Sequence, residues 1–214
     1  LGGLGAGVGT LFMWLFRLSG RLVHRLEQTP VRLAVIGGLL LGALAWLSPA
    51  ITGADTLFWG EHQIVDMINH GSAAAGPQVS HQVAMLLVLA GLKIVAIAVT
   101  LHCGYRGGFI FPLFFVGAAI GLAISLATHG MVSPVVAVLC LMGAINVAVT
   151  KTPIATTIIL ATLSGTAMLP VLAAAGFTSF VLTTQINLIA TQRGRREPTS
   201  APPNATGEAL SLPH

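Results

Sequence analysis

Apolar positions fall in long unbroken runs, at about 1–16, 31–50, 82–101, 109–128, 133–149, 153–163 and 168–191. None alternates with period two, so the pattern predicts helices and argues against a barrel of ten-residue alternating strands. A straight bilayer span needs about 20 apolar residues. Several runs are shorter than this and are broken by glycine or proline. Pro112, Pro134, Pro153 and Pro170 each stand at or near the start of a run, where the first turn of a helix tolerates the ring. Such short, interrupted segments suit a transporter with a site near the membrane midplane. Gly37, Gly38 and Gly42, and Gly117 with Gly121, put small residues at helical spacing for close helix packing. The segment from Ser72 to Gln82, rich in small and polar residues, reads as a surface loop.

Composition turns these helices into membrane helices. The chain is 55% hydrophobic and only 7% charged, against about 25% charged for soluble domains. The fold class expected is therefore all-α and polytopic, with the bilayer as solvent. The six acidic residues, Glu27, Asp55, Glu61, Asp66, Glu197 and Glu208, lie outside the apolar runs, whereas Lys93 lies well inside one.

The net charge of +4 matters less than its placement. Arg17, Arg21, Arg25 and Arg32 stand between the first two runs, and Arg193, Arg195 and Arg196 follow the last. The positive-inside rule puts both regions, and the C-terminus, in the cytoplasm. The stretch from 51 to 81, acidic and without Lys or Arg, then lies outside. These arginines flank membrane segments without interleaved aromatics, so a nucleic-acid partner is not expected.

Cys103 and Cys140 form no CxxC pair and read as small buried side chains. His102 beside Cys103 falls short of the three or four converging ligands that a metal needs. The remaining histidines are scattered and show no HExxH pattern. No metal and no cofactor is expected.

One stretch carries the functional reading. Gly104-Tyr105-Arg106-Gly107-Gly108-Phe109-Ile110-Phe111-Pro112 separates two apolar runs and opens into a helical pattern. Bare amides at a helix start carry roughly half a positive charge and lack intrahelical partners. Inside a membrane their natural ligand is an anion stripped of water. Gly107, Gly108, Phe109, Ile110, Phe111 and Pro112 are the candidate anion-binding residues, and no catalytic residue is expected. A membrane chain with this feature is expected to move anions.

Leu1-Gly-Gly-Leu-Gly-Ala-Gly has no charged leader region and looks like the middle of a helix, which reads as the C-terminal part of a longer protein. Two units are expected, a membrane unit over 1–192 and a disordered cytoplasmic tail over 193–214. The sequon at Asn204-Ala205-Thr206 carries no weight on such a tail.

Gly107-Gly108-Phe109-Ile110-Phe111-Pro112 resembles the GGIFAP-like motif of the CLC family of chloride channels and proton-coupled chloride exchangers, in its bacterial form. Lys151-Thr152-Pro153-Ile154-Ala155-Thr156-Thr157 resembles the family's late segment with its Ala-Pro-Leu-Thr-Gly pattern. Gly60-Glu61-His62-Gln63-Ile64 and Leu92-Lys93 also look like bacterial members. The resemblance covers roughly residues 1–192 and corresponds to the family's second half.

It implies short, tilted and broken helices forming the second of two inverted repeats, a homodimer with one pore per subunit, and a bacterial inner-membrane location. The amides of Phe109 and Ile110 would be the anion ligands, Gly107 and Gly108 would admit close backbone approach, and Pro112 would fix the helix start. The chain departs from the family in three places. Ile110 and Phe111 stand where the family often has Phe and a small residue, and Thr162 stands where many members are acidic. The lone tyrosine, Tyr105, does not match the family's pore tyrosine.

Lys93 would either contribute to anion attraction or rest against carbonyls and snorkel to an interface. Arg106 would serve as a positive-inside anchor or attract anions to a vestibule. Thr156, Thr157, Thr162, Thr183 and Thr184 would hydrogen-bond within or between helices. Two other functions remain open. One is a membrane module that dimerises through glycine faces without conducting by itself. The other is an intramembrane enzyme, for which no Ser–Lys, Asp–Asp or His–Glu set stands in the apolar runs.

Overall fold

The computed structural model describes residues 1–24, 30–52, 78–105 and 107–186. These form seven α-helices and one short 3-10 turn, with no strand among the described residues. The helices are α1 (Gly2–His24), α2 (Pro30–Thr52), α3 (Gln78–His102), α4 (Ile110–Ala127), α5 (Pro134–Thr150), α6 (Pro153–Ser164) and α7 (Leu169–Thr183). The 3-10 turn, Thr166–Met168, leads directly into α7. The protein is an all-α polytopic membrane fold. Four helical stretches, Val31–Thr52, Val79–His102, Ile110–Ala127 and Thr166–Thr183, are long and apolar enough to cross a membrane. At 17 and 12 residues, α5 and α6 are shorter.

Each run found in the sequence becomes a helix, with three changed ends. The first is that of α1, which continues past the expected 16 to His24. α3 begins at Gln78, so 78–82 is helical where a loop was expected. Pro77 immediately precedes it in the sequence. α7 stops at Thr183, well short of the expected 191, and Thr184–Ile186 form a turn. The Thr184 hydroxyl bonds back to the Phe180 carbonyl, and the Lys151 ammonium donates to the Thr183 carbonyl, so the last carbonyls find partners and the helix is closed. Residues 187–192 and the 193–214 tail lie outside the described residues, as do most of the loop and the acidic stretch over 53–77.

α4 is, with α5, the most completely buried of the helices around the site. It packs along α5 on one side and α3 on the other, while α5 also meets α1, α6 and α7. Leu113, Phe114, Phe115, Val116, Ala119 and Leu122 are at most 1% exposed. A helix apolar on every face calls for burial, and α3 and α5 cover most of α4 beyond its first turn. Two glycines set how close α5 comes. A Cβ at Gly117 would stand 2.5 Å from Met142 Cα, and one at Gly121 would stand 2.6 Å from the Ala137 carbonyl oxygen. The Gly117/Gly121 packing face expected from spacing is therefore real. A second such face was not anticipated: Gly5 and Gly9 of α1 lie directly on Ala144 and Ala148 of α5. Gly42 has nothing within 4 Å, so the third member of the α2 set does not pack.

α2 packs mainly on α3. Val31, Val35, Leu39 and Trp46 face outward along it. Pro49 lies inside the last turn of this helix.

Candidate anion-binding site

The chain reaches the site through a tight stop at the end of α3. Gly104 adopts φ +87°, and the Tyr105 amide donates to the Thr100 carbonyl at 3.1 Å. This six-to-one bond around a left-handed glycine is the Schellman arrangement, which closes a helix and turns the chain sharply. A side chain at 104 would be strained, so the first glycine of the motif has a backbone reason. Arg106 lies outside the described residues.

Gly107 and Gly108 are exposed, and neither is crowded. A Cβ at Gly107 would make an ordinary 3.6 Å contact with Thr100 Cγ2, and one at Gly108 would meet nothing within 4 Å. The close approach expected at these glycines is thus not made by the described protein. The space above Gly108 is open.

Phe109 is the N-cap of α4, with φ −101° and ψ −8°, and no side chain caps the helix there. The first backbone bond of the helix runs from the Leu113 amide to the Phe109 carbonyl at 3.0 Å. Pro112 has no N–H to give. The amides of Phe109 and Ile110 make no hydrogen bond to the described residues. Ile110 is 38% and Phe111 46% exposed, whereas Leu113 and the three residues after it are fully buried. The amide end is therefore the part of α4 that emerges from the bundle. The Phe111 ring folds back edge-on against Phe114, at 5.9 Å between centroids and 78° between planes. The outcome is an uncapped helix end with its positive pole outward.

Two polar side chains stand behind it. Lys93 of α3 is 2% exposed, with its ammonium 4.8 Å from the centre of the Phe115 ring on α4. It is buried, not snorkelled to a surface, and a cation over a ring face is an attractive pairing. Asn146 of α5 is fully buried and donates from Nδ2 to the Ile110 carbonyl at 2.8 Å. Its Oδ1 is buried and accepts no hydrogen bond from the described residues. A net hydrogen bond contributes about 0.5–1.5 kcal/mol, while a buried unmet acceptor costs about 1–3 kcal/mol. Asn146 is thus a poor choice for packing alone.

The six candidate residues form one continuous loop and first turn, and the structure adds Asn146 beside them. The signal for it was a single amide in an otherwise apolar 17-residue helix. Tyr105 turns away from this loop and donates to the Ala34 carbonyl of α2 at 2.6 Å. The Thr162 and Thr183 hydroxyls bond to carbonyls three or four residues back within their own helices, and Thr184, just past α7, bonds back to Phe180 in it. Cys103 and Cys140 are buried free thiols. Among the described residues no three His, Cys, Asp or Glu side chains stand together.

Comparison with known proteins agrees with the fold. Proteins named "Putative ion-transport protein YfeO" in Salmonella schwarzengrund, Salmonella newport and Salmonella typhimurium are each 35% identical to this chain over 114 residues. The match takes in 53% of this chain and 25% of each relative, so the chain spans about a quarter of the curated relatives it matches. No solved structure gives a significant match. The family described as voltage gated chloride channel matches residues 1–184. With apolar spanning helices over the same residues, the chain is an integral membrane protein and belongs to the voltage gated chloride channel family.

Proposed function

We propose that this chain supplies one side of an anion pathway, in which a dehydrated chloride binds the N-terminal amides of α4. The observation that carries the reading is the start of α4, where no side-chain cap is made, the Phe109 and Ile110 amides bond to none of the described residues, and none of these crowds Gly108. Backbone dipoles hold an ion without the grip of a full opposite charge, so it can leave again. The described residues include no carboxylate side chain to repel it. Gly107 and Gly108 leave the approach clear, Phe111 flanks it, and Pro112, the third residue of α4, adds no donor. The full pathway would need helix ends from a companion repeat, which makes this chain the second inverted repeat over 1–192.

The arginines at 17, 21 and 32 orient the chain with its C-terminus in the cytoplasm of a bacterial inner membrane. The outward apolar face of α2 meets lipid or a second copy in a homodimer. The test is chloride efflux from vesicles holding the full-length protein. Flux above that of empty vesicles is expected; flux equal to theirs would sink the reading.

A second reading rests on that same α2 face. A module that only associates would dimerise in detergent yet show no anion-dependent change in thermal stability.

A further inference from the structure

The contact between Asn146 and Ile110 has a direction that packing does not explain. Asn146 lies four residues before the end of α5, between Ile145 and Val147, both fully buried and apolar. Its Nδ2 reaches across to the carbonyl of the first residue of α4, while its Oδ1 is left buried and unmet. Docking of α4 on α5 does not need this bond. Gly117 and Gly121 already bring α4 onto the backbone of α5 at Met142 and Ala137, further along the helix. What the bond adds is control of the free end. A carbonyl oxygen has two lone pairs, so Asn146 can hold Ile110 from the side without disturbing the helix. The carbonyl it holds belongs to the first peptide plane of α4, next to the Ile110 amide, which bonds to none of the described residues.

We propose that Asn146 is a positioning residue for anion binding: it fixes the first peptide planes of α4, and so the aim of the amides that face the anion. The inference rests on the reading of the α4 start as the anion site. A fraying first turn would spread those N–H groups over many directions. A first turn held from behind presents them together, and preorganised donors bind more tightly than donors that must be ordered on binding.

The test uses the full-length protein, titrated with potassium chloride by calorimetry, with thermal melting alongside. Asn146→Leu removes the bond and the unmet acceptor together. It should melt no lower than the wild type by more than a few degrees, yet bind chloride about tenfold more weakly. Asn146→Asp keeps the shape but donates to the Ile110 carbonyl only when its carboxyl is protonated. Its affinity, taken as a ratio to the wild type at each pH, should approach one at low pH and fall as pH rises. The described residues hold no other carboxylate, and the ratio removes titrations shared with the wild type.

Lower melting temperatures with unchanged chloride affinity would reduce Asn146 to a packing residue and overturn the inference. A pH-independent ratio for Asn146→Asp would overturn it too, including where Asn146→Leu fails to fold. Absence of saturable chloride binding by the wild type would remove the anion site itself, and the inference with it.

Discussion

The Tyr105 hydroxyl donates to the Ala34 carbonyl at 2.6 Å, joining residues 71 positions apart. One side of this bond is α2, the helix least engaged with the bundle. The other is the turn that delivers the chain to the start of α4. Gly38, one helical turn beyond Ala34, leaves room for the ring: a Cβ there would stand 2.9 Å from the Tyr105 hydroxyl. Tyr105 is thus a tether between α2 and the loop.

Tyr105→Phe should keep the ring and lose the tether. A net hydrogen bond contributes about 0.5–1.5 kcal/mol, and this one is partly exposed. A loss near the low end is expected in denaturant unfolding, with chloride flux unchanged. Loss of flux at unchanged stability would mean that Tyr105 acts in the pathway.

Valine at Gly108 and at Gly38 should separate access from folding. At Gly108 the added side chain enters open space, so stability holds while flux falls sharply. At Gly38 it meets the Tyr105 hydroxyl, so stability drops by about 1 kcal/mol and flux survives. Equal losses of flux in both, measured in vesicles, would show that bulk at Gly108 acts only through folding.

Gly121→Ala, like Gly117→Ala, should be strongly damaging in α4. The Cβ at Gly121 would press on the Ala137 carbonyl oxygen and on Val138 Cα, each at 2.6 Å. Backbone cannot yield as a side-chain tip does, and overpacking of this kind costs about 1–3 kcal/mol. Gly91→Ala on α3 is the control, because nothing lies within 4 Å there. That change should stabilise by up to about 1 kcal/mol through helix propensity. Thermal melting of both variants in one detergent checks the contrast.

Lys151→Met should loosen the end of α7. Lys151 sits in the link between α5 and α6 with φ +60°, and its ammonium donates to the Thr183 carbonyl. A cation at a helix C-terminus contributes about 0.3–1 kcal/mol. Faster amide hydrogen exchange is expected over the last turn of α7 and not in α4. An unchanged exchange rate in that turn would contradict the capping role.

Much of this was legible in the chain because the bilayer leaves few choices. Apolar runs had to be helices, and prolines at 112, 134 and 153 marked starts that the structure keeps within the first turn. Gly104 could be read as part of a glycine-rich break, but not as the left-handed residue that closes α3. The start of α3 was missed because polar Gln78, Ser80 and Gln82 look like loop, although they extend an apolar helix. The end of α7 was missed because its carbonyl partner, Lys151, is 32 residues away.

The fate of Lys93 was equally hidden. Whether it snorkels or packs on Phe115 depends on which face of α3 meets α4. Asn146 was passed over for the same reason: its meaning lies in the residue opposite it, Ile110, and spacing along one helix carries no such information.

The most direct measurement is bromide anomalous scattering from crystals of the full-length protein. The amide start of α4 should show a bromide peak within about 3.5 Å of the Phe109 and Ile110 nitrogens, lost when potassium gluconate replaces the halide. Bromide found elsewhere along the pathway, with none at these two amides, would contradict the account.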